Sequence, residues 1–493
     1  MTDIASPLPS PRIEKHVWSI AIVVILGAVM SVLDTTVVNV ALDTLAKDFD
    51  TSLDHIQWVA TGYLLSLAAV IPVTGWAARR FGSRRLYLIS LVLFTAGSAL
   101  CGLAWSADSL IAFRVLQGIA GGMLMPIGQM VLVKAAGPRN LPRVMSAIGV
   151  PIILAPVFGP TLGGLLLQHV GWPAIFLINV PIGIVAFFAA TRLLPADQPE
   201  EAGTLDAVGL GLVATGLVGV TYGLAESGSA GSFVAASVLV PLVVGLVLIT
   251  LFVLRALRIE NPLLDVRLFA NKAFAAASLT TFCLGAALFG AMILMPLYFQ
   301  VVRGEDAVHT GLLLMPQGIG AAGAMYLSGR ATERWGGGIT ALIGGIITVV
   351  ATVPFVMIEG DTPFVVIAIA MVFRGFGIGM SMMPAMTAAF RVLRPDQIND
   401  ATPQLNVLQR VGGSIGTAIL AVVLQNQLTA AGPNASADAM AAAFGDTFVW
   451  VMGVTIAALI PTVLLAVVER RARNAHQEHD LAPDVELALV EAA

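Results

Sequence analysis

Runs of about twenty apolar residues recur along almost the whole of this 493-residue chain. A helix that crosses a bilayer needs about 20 mainly apolar residues, because in lipid its backbone groups must be satisfied within the segment. The sequence meets that condition fourteen times, over 17–40, 55–77, 86–105, 109–133, 142–166, 172–194, 205–226, 234–257, 273–302, 308–329, 338–358, 362–390, 401–425 and 445–468. Charged residues make up 11% of the chain, against about 25% in soluble domains. The pattern predicts an all-α integral membrane protein surrounded by lipid. The first run follows Lys15 and His16 as a signal peptide would, but its length and the Asp34 within it predict an uncleaved first helix.

Charge and motif content exclude several functions. A net charge of −4 gives no footprint for nucleic acid, and none is expected as a partner. Cys101 and Cys283 lie in apolar runs without CxxC spacing, and the six histidines form no ligand set, so neither a metal nor a cofactor is expected. No G-x4-GK[ST] loop is present to hold ATP as an energy source, and no soluble region carries a catalytic set, so the chain does not read as an enzyme.

An even number of spans places both termini on one side. Of the 26 Lys and Arg, 21 fall in loops and tails of that side, two (Lys47 and Arg303) fall opposite, and Arg114, Arg374 and Arg410 lie within spans. The positive-inside bias predicts that both termini are cytoplasmic.

The chain also repeats itself. Gly75-Trp-Ala-Ala-Arg-Arg80-Phe-Gly82 returns as Gly329-Arg-Ala-Thr-Glu-Arg334-Trp-Gly336, 254 residues on, and Phe113-Arg114 running to Pro126 returns as Phe373-Arg374 running to Pro384, 260 residues on. These offsets match the distance from the first span to the ninth. The expected organisation is therefore a tail at 1–16, a six-helix bundle at 17–194, two inserted helices at 205–258, a second six-helix bundle at 273–468 and a tail at 469–493. Repeats of this kind place two bundles across a central path. The inserted spans carry few polar residues and are expected to face lipid.

These motifs resemble those of the major facilitator superfamily, in particular its fourteen-helix drug:proton antiporter group, which includes the EmrB and QacA pumps. Leu33-Asp34-Thr-Thr-Val-Val-Asn39 resembles the group's first-helix signature. The stretch with Gly75, Arg79, Arg80, Gly82, Arg84 and Arg85 resembles the superfamily's loop motif, Phe113-Arg114-Val-Leu-Gln117-Gly118 its fourth-helix motif, and Gly159-Pro160-Thr-Leu-Gly163-Gly164 the antiporter motif of helix 5. Phe176 to Gly183, with Asn179, and Asn406 to Gly416, with Arg410, are similar to further group features.

The resemblance implies a major facilitator fold in a bacterial cytoplasmic membrane and proton-coupled efflux of a small amphipathic drug or metabolite by alternating access. A proton-coupled symporter on the same fold is the alternative. One departure stands out. Where the superfamily usually places Asp in the loop motif, this chain has Arg79, so a latch there must use carboxylates elsewhere, such as Glu333 or Asp396. Two upstream glycine positions of the antiporter motif hold Ser146 and Ala155, both small.

Asp34 lies well inside a span, where a charge costs on the order of 2.5–3.5 kcal/mol on insertion scales, so a functional role is expected. Burial disfavours a charged carboxylate and a nearby cation favours it, and between them such a residue binds and releases a proton. Arg114 shares a helical stripe with Gln117, Gly118, Gly121 and Gly122 and is the expected partner in proton coupling. Arg374 is expected to be structural. Arg410, in a stripe with Asn406, Gly413 and Ser414, reads equally as a second polar site or as packing. Asn39, Gln117, Phe289, Met292, Tyr298, Met315, Gln317 and Arg410 are the candidate substrate path, since methionine and aromatic groups with a few polar anchors suit adaptable pockets. The small residues and prolines of helix 5 predict a tight seam between the halves.

Overall fold

A computed structural model describes residues 13–491, apart from 197, 198, 201, 433 and 434. Most of the expected first tail, with Arg12, lies outside the described residues. Apolar runs this long close their own backbone hydrogen bonds, and the described residues contain helices and no strand. In chain order the helices are α1 (Lys15–Asp48), α2 (Leu53–Phe81), α3 (Ser83–Gly102), α4 (Ala107–Pro138), α5 (139–169), α6 (Pro173–Leu193), α7 (Ala207–Ala230), α8 (Ala236–Ala256), α9 (Lys272–Val302), α10 (Ala307–Trp335), α11 (Gly337–Val356), α12 (Phe364–Arg391), α13 (Pro395–Ala431) and α14, which begins at Ala437 and stays helical to Glu491.

Among the described residues twelve helices are long and apolar enough to cross a membrane, two fewer than expected. The expected spans 142–166 and 308–329 form helices α5 and α10 but are not among the twelve. These two helices run against each other and give much of their surface to small and polar residues, including the Ser146–Ser328 hydroxyl contact at 3.0 Å. α5 contains side chains outside the described residues, and its sequence is as apolar as that of the counted helices.

Helix boundaries follow from single residues. Gly137, at φ 63° and ψ 169°, interrupts the helical run and separates α4 from α5. Gly82 and Gly336, the closing glycines of the two loop-motif copies, both sit at positive φ (83° and 97°) and end α2 and α10. A side chain there would be strained, and this accounts for the recurrence of glycine in the motif.

Helices α1–α6 pack among themselves, as do α9–α14. The two groups meet along α5 and α10, at the end of α2 against α13, and where α12 approaches α4 and α5. The inserted pair departs from expectation. α8 does face outward, with Val240, Val243, Val244 and Val247 about half exposed. α7 does not. Trp58 of α2 stacks on Tyr222 of α7 at 5.8 Å, and Val213 and Leu217 of α7 pack in one cluster with Trp76 of α2 and Val407 and Val411 of α13. A helix this apolar can face lipid or protein equally well, so its composition could not distinguish the two. Gly216, Gly219 and Gly223 bring the α7 backbone close to α8, where Gly245 sits between Gly216 and Val220.

Candidate functional site

Asp34 sits midway along α1, 2% exposed, and Arg114 sits two turns into α4, 1% exposed. Their side chains form a direct ion pair, Arg114 Nη1 to Asp34 Oδ2. The rest of the carboxylate is held by neutral amides. Gln117 Nε2 donates to Asp34 Oδ1 at 3.0 Å, and Asn179 Nδ2 of α6 donates to the same oxygen at 3.1 Å. Arg114 also donates locally, Nε to the Val59 carbonyl at 3.0 Å and Nη1 to Gln117 Oε1 at 2.8 Å. Its guanidinium lies 4.1 Å from the Tyr63 ring centroid and 5.7 Å from that of Phe176. Asn179 is itself fixed by Ser98 Oγ at 3.1 Å, which donates to the Phe176 carbonyl at 2.8 Å.

The cluster draws on α1, α2, α3, α4 and α6, so it reports on the packing of five helices. A buried ion pair is tolerated when its geometry is good and its hydrogen-bonding sites are met, and here both carboxylate oxygens and the Nε and Nη1 of Arg114 are bonded. A proton placed on Asp34 would remove one of the two charges and leave the arginine uncompensated, which is a large local change in a low-dielectric interior.

Sequence reasoning singled out Asp34, Arg114 and Gln117 but not Tyr63 or Ser98. Asn179 was visible only as part of a motif. The available signal was the presence of polar residues inside apolar spans. The other expected path residues do not gather into one place. Gln117 is fully buried in the Asp34 cluster, Gln317 accepts a bond from Arg374 Nη1 at 3.3 Å, and Tyr298 is buried against Phe299 and Phe444 with its hydroxyl donating to the Glu359 carbonyl at 2.6 Å. Phe289 packs on Gly413, one turn from Arg410, and Arg410 is close enough to Tyr63 of the other bundle to interact electrostatically. Asn39 is exposed, and Met292 and Met315 are half-buried.

The antiporter-motif glycines act differently from expectation. Gly159 and Gly163 face Thr36 and Val37 of α1, half a turn to one turn from Asp34, while the seam with α10 is made by Ser146 against Ser328, Gly149 against Met325, Thr161 against Gly311 and Gly164 near Val308. Pro160 stands half-buried between them, while the side chain of Pro156 lies outside the described residues. Gly159→Val should therefore press on Thr36 and shift α1. Overpacking of this kind costs about 1–3 kcal/mol, and transport should fall several-fold while Gly164→Ala stays near wild type in the same vesicle assay.

The loop motif joins the two halves at one end. Arg79 pairs with Asp400 of α13 at 2.7 Å, and Glu333, at the corresponding place in the second copy, pairs with Arg143 of α5 at 2.6 Å. Arg143 and Asp400 are themselves 257 residues apart, within the range of repeat offsets. The two latches are thus copies of one another with the charges exchanged. Expected partner Glu333 serves the other latch, and Asp396 pairs locally with Arg394 at 3.0 Å. Gly75 approaches the Asn399 backbone closely, Arg84 donates to the Thr191 carbonyl, and Arg80 and Arg85 are exposed. Further in, Asn406 Nδ2 donates to Gln129 Oε1 across the halves at 2.8 Å.

A family model described as Major Facilitator Superfamily matches residues 24–417. The chain belongs to the major facilitator superfamily. Within that superfamily it is 40% identical to a multidrug resistance protein B homolog of Mycobacterium tuberculosis (strain ATCC 25618 / H37Rv), over 84% of this chain and 78% of that protein. It is 31% identical to the multidrug export protein EmrB of Haemophilus influenzae, over 82% and 79% of the two chains. Among solved major facilitator structures, the proton:xylose symporter XylE aligns with a TM-score of 0.61 at 13% identity, covering 90% of this chain and 95% of that one, a likeness of fold. The matches agree with the drug:proton antiporter group that the motifs resemble.

Proposed function

We propose that this transporter is a proton-driven exporter of amphipathic drugs or metabolites that works by alternating access in the cytoplasmic membrane. In this reading the chain makes fourteen spans with both termini cytoplasmic, α1–α6 and α9–α14 are the rocking halves, and the doubled charge latch closes the cytoplasmic end. The observation that carries the reading is the buried Asp34–Arg114 pair, both of whose carboxylate oxygens are hydrogen-bonded. A carboxylate that is either protonated or ionised against its arginine gives two states of different charge, and a substrate that favours one of them is displaced when the other forms. The drug-resistance names of the relatives support the direction of transport.

Inverted membrane vesicles energised to an acidic interior test it. Accumulation of an amphipathic dye, coupled to proton release from the lumen, is the expected result. Uptake in right-side-out vesicles together with protons would favour the symporter instead. The orientation is checked by single cysteines at Ser232 and Pro199. The first should label only from outside intact cells and the second only after permeabilisation, and the reverse pattern would invert the topology.

A further inference from the structure

Arg410 lies midway along α13, and its neighbours fix the direction in which that part of the helix faces. Val411, Ile415 and Ala418 pack with Val220 and Leu224 of α7, while Gly412 and Gly416 press on the α9 backbone at Phe282 and Ala286. The face between these two carries Asn399, Pro403, Asn406 and Arg410 at helical spacing. It is turned to the first bundle, since Asn399 and Pro403 lie against Gly75 of α2 and Asn406 donates to Gln129 of α4. Arg410 continues this stripe one turn past the Asn406–Gln129 contact, on the side away from the Arg79–Asp400 latch, and Ser414 and Thr417 extend it.

Past that contact the stripe is left unbonded. Arg410, Ser414 and Thr417 are all half-buried, and among the described residues none of them has a hydrogen bond or an ion pair. Their polar atoms keep accessible surface, in contrast to the enclosed Nε of Arg374 and of Arg143. Thr402 of the same helix and Thr455 of α14 instead donate to carbonyls of their own helices at 2.7 Å. A cation at this depth of a span, unpaired and in touch with open space, lines the path between the bundles. Beside it Phe289 of α9 packs its ring on Gly413 and stays 37% exposed. The open face thus joins a guanidinium, two unbonded hydroxyls and an aromatic surface. The fork of N–H donors matches the two oxygens of a carboxylate, and hydroxyls one and two turns on can donate to the same group.

We propose, resting on the exporter reading above, that the exported compound is an amphipathic organic anion whose carboxylate docks on Arg410, Ser414 and Thr417, with its apolar body against Phe289. A neutral compound gains nothing from the fork, and a cationic one is repelled by it.

Three probes on one scaffold test the site: pyrenebutyrate, its neutral amide and the cationic pyrenebutylamine. Their binding to the full chain in lipid nanodiscs is followed by quenching of the tryptophans, against empty nanodiscs. The wild-type chain should bind the carboxylate about tenfold to a hundredfold tighter than the amide, the range for hydrogen bonds to a charged group. Arg410→Gln should bring that ratio to about one, Arg410→Lys should keep part of it, and Ser414→Ala should lower it several-fold. A wild-type ratio of one, a ratio that Arg410→Gln leaves unchanged, or binding of none of the three would each overturn the site. Should Arg410→Gln fail to fold, the wild-type ratio and Arg410→Lys decide. Accumulation of the same probes in inverted vesicles separates the two readings. Amide or amine accumulating as well as the carboxylate removes the anion site and leaves the exporter. Carboxylate binding that depends on Arg410, with no proton-driven accumulation, removes the exporter and leaves the site.

Discussion

Asp34→Asn is expected to abolish proton-driven efflux, lowering it by about 10²-fold or more, the range lost when a positioned proton-transfer group is removed. Asparagine keeps the size of the side chain and resembles the protonated acid, but it has no proton to release. Arg114 would lose its counter-charge, and breaking one partner of a buried pair costs about 3–5 kcal/mol. The Val59 carbonyl, Gln117 and the Tyr63 face still hold the guanidinium, so the variant should fold and insert. Arg114→Ala should be nearly as inactive, and Arg114→Lys should recover only part of the activity, since an ammonium lacks the planar fork. The double variant Asp34→Asn/Arg114→Gln separates stability from coupling. It removes both charges and should unfold at a higher temperature than Asp34→Asn alone, yet remain inactive. Efflux and substrate binding measured in the same vesicle preparations decide the matter, and wild-type efflux by Asp34→Asn would move the coupling role elsewhere, with Glu226 the next carboxylate to test.

Arg79→Asp should loosen the closed end. The new carboxylate would face Asp400, turning an attraction into a repulsion between half-buried groups. A change on the order of 1–2 kcal/mol is about tenfold in the balance between the two end states. Accessibility of a cysteine placed below the Gln129–Asn406 contact should rise, and transport should fall because one state is over-populated. Arg79→Asp/Asp400→Arg re-forms the pair with its charges exchanged, the arrangement the molecule already uses between Glu333 and Arg143, and should restore both readouts. If the single variant changed neither readout, Arg79 would be only a topology charge.

Much of this was legible in the sequence, for physical reasons. Backbone satisfaction in lipid writes each span as an apolar run, and a charge inside such a run, as at Asp34 or Arg114, stands out because it is costly. Gly82 and Gly336 could be paired because each ends a helix at positive φ, a demand only glycine meets cheaply. The partners were less visible. Asn179, Ser98 and Tyr63 lie on three other helices, and their convergence on Asp34 and Arg114 depends on rotations about helix axes that no local pattern encodes. Arg79 was read correctly as a departure, but its partner Asp400 was missed, because the match depends on the repeat offset that relates Asp400 to Arg143.

The position of α7 bears on where a lipophilic compound can come from. The halves arose as copies, yet the copies do not present equivalent doors to the surrounding bilayer. α7 lies along the flank where α2 meets α13, fixed by the Trp58–Tyr222 stack at one level and by Val213 and Leu217 at another. Among the described residues the inserted pair packs on that flank, and its contacts with the two bundles are made there. For the proposed exporter, this asymmetry makes the two flanks unequal as approaches from lipid.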